Sequence, residues 1–481
     1  MARRRASWIL LLCFSACGSV SPSSTTGGAG TGGGSGAAGH TGAAGGNAGA
    51  GGGGSSGSGV AGGGGAPGNG GVGGAGGASG AGGSGSDILP GPFTMSMPTN
   101  GSPNIGTSPL LTWTTAQNAV SYDVEVSMSA MFDGPATTKV SGTTGKNALS
   151  WTAPLVPGQI YYWRVDAVAL GGFSTTASNA PFTMSVPVAV GVSPHGVAVT
   201  PNGKSVVVGN DAKPGSVTVL DLATMQATAI GVSGQPGVVA VTPDSKTVLA
   251  AQTNTVAVVD LTTMAATGVI ASPCVATTLY GLAIKADGSA AVIPDFTGGC
   301  INDVLDVVPL PGTAISKALP LGTSATAFGV AVTPDGASAL VTRGVTTTSM
   351  KRVDLGSGTV TTITGTSSSF GVAVTPDGKT AWVTSGGSDT VKPIDLATNT
   401  VGTGLPFESN SEVCNLAIAP DGKHAVVVGS FNIAILTLGA TPAVGSMYSV
   451  AGRCAAIAAD GSRAFVTGAG ATGKLYVVKL P

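Results

Sequence analysis

The sequence predicts an all-β protein whose larger, C-terminal part is a ring of repeated four-stranded units, and three observations predict it. The first is recurrence. The stretch Phe370–Val383, FGVAVTPDGKTAWV, has six relatives: GVAVTPNG at Gly196–Gly203, VVAVTPDS at Val238–Ser245, GLAIKADG at Gly281–Gly288, GVAVTPDG at Gly329–Gly336, NLAIAPDG at Asn415–Gly422 and CAAIAADG at Cys454–Gly461. The second is spacing. The turn positions Asn202, Asp244, Asp287, Asp335, Asp377, Asp421 and Asp460 recur about every forty-odd residues, the length of one blade of a β-propeller. The third is pattern within the unit. Val372 and Val374 alternate with Ala373, the period of a strand with a large-residue and a small-residue face.

Each element of the unit has a local reason. Thr375-Pro376 ends the first strand, because proline has no N–H for the ladder, and Asp377-Gly378 tolerates the angles of a tight hairpin. A second strand follows at Thr380–Thr384. A third ends in Asp-Leu at Val217–Leu222, Val256–Leu261, Met350–Leu355 and Val391–Leu396, and after a polar turn such as Ala397-Thr398-Asn399 comes a fourth. The last unit stops one strand short, at Leu475–Leu480, whereas Pro187–Val192 is a strand too many at the start. Pairing the two closes the ring without an exposed edge, so seven blades over residues 186–481 are expected. The run GVAVTPDGKTAWVT followed by IDLATNTV resembles the YVTN-type repeats of exported bacterial propellers. Ala286 and Ala459 depart from that pattern at the turn proline.

Residues 1–17 read as an export signal. Arg3, Arg4 and Arg5 precede the apolar run Trp8–Phe14, which is too short to span a bilayer. Phe14-Ser15-Ala16-Cys17 resembles the lipobox of bacterial lipoproteins, which implies lipidation at Cys17; the other reading is an ordinary secretory signal cleaved near Ala16. Residues 18–86 hold no Asp, Glu, Lys or Arg and consist almost wholly of Gly, Ala, Ser and Thr. Such a disordered, Gly-rich segment buries no core and reads as a tether, spanning roughly 45 Å as a random coil. These features place the protein in the cell envelope, at the outer membrane or cell surface.

Residues 87–185 form a smaller β-domain. Leu110–Thr114, Tyr122–Val126, Ala148–Thr152 and Ile160–Val168 alternate and are separated by turn residues. The order Trp113, Tyr122-x-Val124-x-Val126, Leu155-x-x-Gly158, Tyr161-x-Trp163-Arg164-Val165 resembles the fibronectin type III module. That likeness implies a β-sandwich in which Trp113 and Tyr161 are packing residues. There is no Arg-Gly-Asp tripeptide.

Chemical signals are sparse. A net charge of −1 with 9% charged residues offers no basic stripe to neutralise phosphates, which argues against nucleic acid. The only histidines are His40, His195 and His424, with no metal-ligand spacing. The Gly-x-Ser-x-Gly at Gly53–Gly57 falls inside the Gly-rich segment and marks no nucleophile, and no cofactor motif is present. Six residues before each turn proline, at the start of each innermost strand, stand His195, Gly237, Tyr280, Phe328, Phe370, Cys414 and Arg453. This ring lies at one mouth of the central channel. His195, Tyr280, Phe328, Phe370 and Arg453 are therefore the candidate ligand-binding residues, with His195 and Arg453 orienting an anionic or sugar-like ligand; the alternative is that the aromatic rings pack between blades.

Discounting Cys13 and Cys17, four cysteines remain, and export makes disulfides expected. Cys274 and Cys300 belong to loops on one face of the third unit; Cys414 and Cys454 begin adjacent innermost strands. The pairings Cys274–Cys300 and Cys414–Cys454 follow. The functional expectation is a membrane-anchored extracytoplasmic binding or scaffold protein for a protein or carbohydrate ligand. The alternative is a lactonase-like propeller hydrolase.

Overall fold

The structure is a computed structural model and describes residues 88–143, 147–271, 281–295, 303–322, 327–344, 348–386, 388–407 and 413–481, with backbone alone at 413 and 414. Cys17, Cys274, Tyr280 and Cys300, the side chain of Cys414, and the signal and tether segments lie outside the described residues. Every regular element described is a strand. Among the described residues no helix is long and apolar enough to cross a membrane.

After residue 190 the described strands fall into seven sheets, numbered here in chain order, whose innermost strands are Pro194–Val199, Val238–Val241, Ala283–Ile284, Ala327–Val332, Ser369–Val374, Val413–Ile418 and Gly452–Ile457. In each sheet the following strands pair antiparallel in sequence order, moving outward. Innermost strands touch their neighbours in turn, and the seventh touches the first. The seventh sheet takes its fourth strand from the other end: Lys474 pairs with Ala189 and Leu475 with Val188. The expected closure is present, over a shorter strand, Val188–Ala189, than the sequence suggested.

Burial follows the two faces of the alternating strands. The core is a set of layers between consecutive sheets rather than one central mass. Val238 and Leu249 of the second sheet meet Leu282, Ile284 and Ala291 of the third; Phe465 and Leu475 of the seventh meet Val197, Val206 and Leu220 of the first. A strand buried on both faces is largely apolar on both: Ser338–Arg343 and Ser369–Val374 are buried throughout, apolar at Ala339–Val341 and Phe370–Val374 and polar only toward their ends.

The hairpin turns explain the recurring Thr-Pro-Asp-Gly. Thr375 Oγ1 donates to Asp377 Oδ1 at 2.6 Å and accepts from the Thr380 N–H at 3.1 Å, while Asp377 Oδ1 also accepts from the Lys379 N–H at 3.0 Å. Gly378 sits at φ 69°, and the equivalent Gly203, Gly336, Gly422 and Gly461 share that left-handed conformation, which glycine adopts without strain. Each turn also rests on the previous one. The Cα of Gly378 faces Pro334, that of Gly422 faces Pro376, that of Gly461 faces Pro420, and Gly203 of the first unit faces Ala459 of the last.

Residues 88–185 form two further sheets. Met95–Met97, Leu110–Trp113 and Ala148–Ser150 make one; Thr138–Thr143, Ser121–Ser127, Ile160–Val168, Ser174–Thr176 and Phe182–Ser185 make the other. Between them lie Trp113, Tyr122, Trp151 and Trp163, with Tyr122 and Trp113 ring centroids 5.3 Å apart. Tyr161 Oη accepts from the Val156 N–H at 2.8 Å. Residues 88–481 belong to one compact unit: Ser185 Oγ donates to the Val477 carbonyl at 2.6 Å, and Ile160 packs on the layer containing Val188 and Leu475.

Candidate functional site

The hairpin turns occupy one end of the sheets, so the starts of the innermost strands and the ends of the second strands share the other. Pro194 pairs with Asn210, Ala327 with Arg343 and Ser369 with Ser385. Gln252 and Asp295 stand at the same place on the second and third sheets. Apolar residues would satisfy burial here, yet this layer is polar. Asn210 and Gln252 are 1% exposed and Asp295 and Ser385 0%.

Buried polar atoms are normally hydrogen-bonded. Asn210 Nδ2 donates to Thr218 Oγ1 at 2.8 Å, but Asn210 Oδ1 has no partner among the described residues. Gln252 Oε1 accepts from Thr255 Oγ1 at 3.1 Å, while its Nε2 has none. Arg343 crosses from the fourth sheet to the third, where Nη2 meets Asp303 Oδ2 at 3.1 Å. On the third sheet Asp306 is also buried, its Oδ1 has no partner among the described residues, and burial together with the Asp295 carboxylate pushes its pKa up to about 7.

His195 and Arg453 are brought together across the junction of the seventh and first sheets. Arg453 Nη1 donates to His195 Nε2, so the ring proton resides on Nδ1. Burial first, and the adjacent guanidinium second, lower the His195 pKa to about 3; the imidazole is neutral at physiological pH and acts as an acceptor. Its backbone carbonyl accepts from Thr467 Oγ1 at 2.5 Å. Asp211, one residue beyond the second strand, places Oδ2 4.0 Å from His195 Nε2, and Gln235 Nε2 donates to its Oδ1 at 3.1 Å. Burial raises the Asp211 pKa while Arg453 opposes that rise. Burial likewise lowers the Arg453 pKa against the pull of Asp211. Arg453 Nε has no partner among the described residues.

Phe328 and Phe370 also meet, edge to face, with centroids 5.2 Å apart. Both are buried, at 1% and 7% exposed, and each ring lies over a glycine, Gly344 and Gly386 respectively. They pack between sheets at the mouth and leave the polar work to His195 and Arg453. Asp211, Gln235, Asn210 and Gln252 are absent from the sequence reading, which aligned only the innermost strands. Aligning the ends of the second strands would have exposed the run Asn210, Gln252, Asp295, Arg343, Ser385.

Metal chemistry finds no donor set: among the described residues no three His, Cys, Asp or Glu side chains converge. His424 sits at the turn end, its Nδ1 2.9 Å from Asp421 Oδ2. Of the cysteines, Cys454 is fully buried, and no described cysteine is free.

No known family and no curated protein matches the sequence. Solved structures do match. Kuenenia stuttgartiensis hydrazine synthase aligns with 60% of this chain and 96% of its own, at 20% identity and a TM-score of 0.53. The β-propeller domain of Cps50 (Swd1) from Myceliophteria thermophila aligns with 61% of this chain and 98% of its own, at 14% identity and a TM-score of 0.52. The chain carries a β-propeller. At these identities the likeness concerns the fold alone.

Proposed function

We propose that this chain is a membrane-anchored, extracytoplasmic binding protein that uses a seven-bladed, YVTN-type propeller, residues 186–481, as its interaction platform. The observation that carries the reading is the polar layer at the channel mouth. A propeller needs no buried Asn, Gln and Arg there to fold, and among the described residues atoms of Asn210, Gln252 and Arg453 have no partner, a state that a ligand relieves. Arg453 supplies charge, and neutral His195 with Asp211 holds it in place. The ligand is an anionic or sugar-like group, on a protein or a carbohydrate at the cell surface. The ring of innermost-strand starts carries no second histidine and no carboxylate pair at matched positions, so no acid and base are named and binding is not followed by chemistry.

The remaining parts of the proposal concern how the platform is held. Cys17 carries the lipid anchor, residues 18–86 form the tether, and residues 87–185 are a fibronectin type III-like spacer. The Tyr161 hydroxyl bond to the Val156 backbone supports the spacer reading, because such modules fix a corner with a tyrosine of this kind. Disulfides Cys274–Cys300 and Cys414–Cys454 brace the mouth. Each adds about 3–4 kcal/mol in the chain-entropy model. A non-reducing peptide map that joins Cys274 to Cys414 or Cys454 refutes this pairing.

Two experiments test the whole. Metabolic labelling with a fatty acid marks the wild type and misses Cys17→Ala; label retained in the variant ends the anchor reading. Incubation of the purified protein with a panel of lactones and esters leaves them intact; turnover instead establishes the hydrolase.

A further inference from the structure

The fifth sheet differs from the other six at its outer edge, and the difference opens a cleft. Its third strand, Thr390–Asp395, contains Pro393. The Gly402 N–H donates to the Pro393 carbonyl at 2.8 Å, but the reciprocal bond is impossible because proline has no N–H. The fourth strand is accordingly split into Thr400–Val401 and Leu405–Pro406, whereas the other sheets have one unbroken outer strand, such as Val360–Thr364 and Ala443–Tyr448. Between the broken edge and the sixth sheet lies a cleft of about 890 Å³. It opens at the turn end of the sheets, away from His195 and Arg453.

The walls of the cleft are apolar and its rim is acidic. Pro376, Pro393, Leu438 and Pro442 form walls, and Asp377, Asp395 and Asp421 stand around them with no Lys, Arg or His among the lining residues. In Asp377 and Asp395 the turn uses only Oδ1: Asp377 binds Thr375 Oγ1 and the Lys379 N–H, and Asp395 binds the N–H groups of Ala397 and Thr398 and the Thr398 hydroxyl. Both residues are exposed. The Thr375 hydroxyl bond holds the Asp377 pKa below the usual carboxylate range, and the Thr398 backbone bond does the same for Asp395. For Asp421 burial pushes upward, and the Lys423 and His424 bonds outweigh it.

We infer that this cleft is a second binding site, independent of the channel mouth, and that it takes a lysine- or arginine-bearing segment of a polypeptide. Proline and leucine walls suit the aliphatic stem of such a side chain, and the carboxylate rim suits its charged head. A sugar fits less well. Trp382, the one aromatic residue in the lining, is 3% exposed and presents no open face for a ring to stack on. A metal ion fits less well still, because among the described residues no three carboxylates converge.

The test separates the cleft from the diffuse charge of the protein. Asn202 of the first repeat already does the work of Asp377 with an amide: its Oδ1 accepts from Thr200 Oγ1 at 2.8 Å and from the Lys204 N–H at 2.9 Å. Asp377→Asn therefore removes a charge and keeps its turn, and in Asp395→Asn the amide oxygen can still accept the bonds that Asp395 Oδ1 takes from Ala397 and Thr398. Asp244→Asn with Asp260→Asn makes the same change at the matching turns of the second sheet, where no outer strand is broken. A fluorescein-labelled hexalysine peptide is titrated into the full chain at low and high salt. Binding by the wild type that weakens with salt, a loss of roughly tenfold in the cleft variant and no change in the matched variant support the inference. Absence of binding to the wild type, or equal weakening by the two variants, overturns it.

Discussion

The two ends of the propeller sheets are built by opposite rules. At the turn end one solution is repeated: Thr200, Thr242, Thr333 and Thr375 each donate to the turn Asn or Asp two residues on. Asp221, Asp260, Asp354 and Asp395 each cap the outer turn through backbone N–H groups. At the channel mouth one register position holds Asn210, Gln252, Asp295, Arg343 and Ser385, and Asn210 Oδ1 and Gln252 Nε2 have no partner among the described residues. Repetition with every group satisfied marks what the fold needs. Variation, with some groups unsatisfied among the described residues, is what the proposed binding site rests on.

The comparison breaks first, and most heavily, at Arg343. Arg343→Ala leaves Asp303, buried at 3% exposure, without the guanidinium that meets it at 3.1 Å. Removing one partner of a buried ion pair costs about 3–5 kcal/mol, so the denaturant midpoint should fall sharply. A shift no larger than that of a surface substitution would mean that the mouth layer tolerates loss of charge as readily as the turns do.

Asp306 gives the next largest effect and distinguishes the ends by pH. Its folded pKa is raised to about 7, above the ordinary carboxylate value. The native state therefore holds this proton more tightly, and the associated stability is complete below the unfolded pKa and lost as pH rises through about 7. The turn aspartates have the opposite sign: Asp335, like Asp377, is held low, and its stabilisation is lost on acidification. Asp306→Asn should flatten the decline between about pH 4 and 7 and be more stable than the wild type at pH 8. Parallel stability profiles for variant and wild type would contradict this.

A packing test at the mouth comes third. A Cβ added at Gly344 lands inside contact distance of the Phe328 ring, so Gly344→Ala should cost about 1–3 kcal/mol through overpacking. Gly142 has nothing near it, though its φ of 74° makes it a poor control; Gly231, open and without positive φ, is the better one and should change stability by less than about 0.5 kcal/mol. The smallest effect belongs to the turn end. Asp377→Ala should cost about 1 kcal/mol for its lost hydrogen bonds, and Asp377→Asn close to nothing, since Asn202 fills that role already.

Much of this contrast is legible in the sequence, and the illegible part has a physical reason. Thr-Pro-Asp-Gly and the Asp-Leu strand ends are local instructions: neighbouring residues bond to one another, so their spacing reveals the turn. Closure through Val188–Ala189 and Leu475 was also legible, because counting strands exposes an unpaired edge. The mouth depends on contacts far apart in sequence. His195 and Arg453 share one aligned column and were found. Asp211 and Gln235 reach them from a strand end and a loop, and neither carries a motif. Pro393 was read only as part of the third strand VKPIDL; its effect appears in the split strand beside it, which the sequence does not announce.

The most direct test of the central claim is a calorimetric titration of the wild type and Arg453→Ala with a panel of uronic acid oligosaccharides, which combine the anionic and sugar-like chemistry proposed for the mouth. The wild type is expected to bind at least one member without releasing product. Arg453→Ala, folded and with an unchanged circular dichroism spectrum, is expected to lose that binding. Equal binding by the variant, no binding by the wild type, or cleavage of the oligosaccharide would contradict the account.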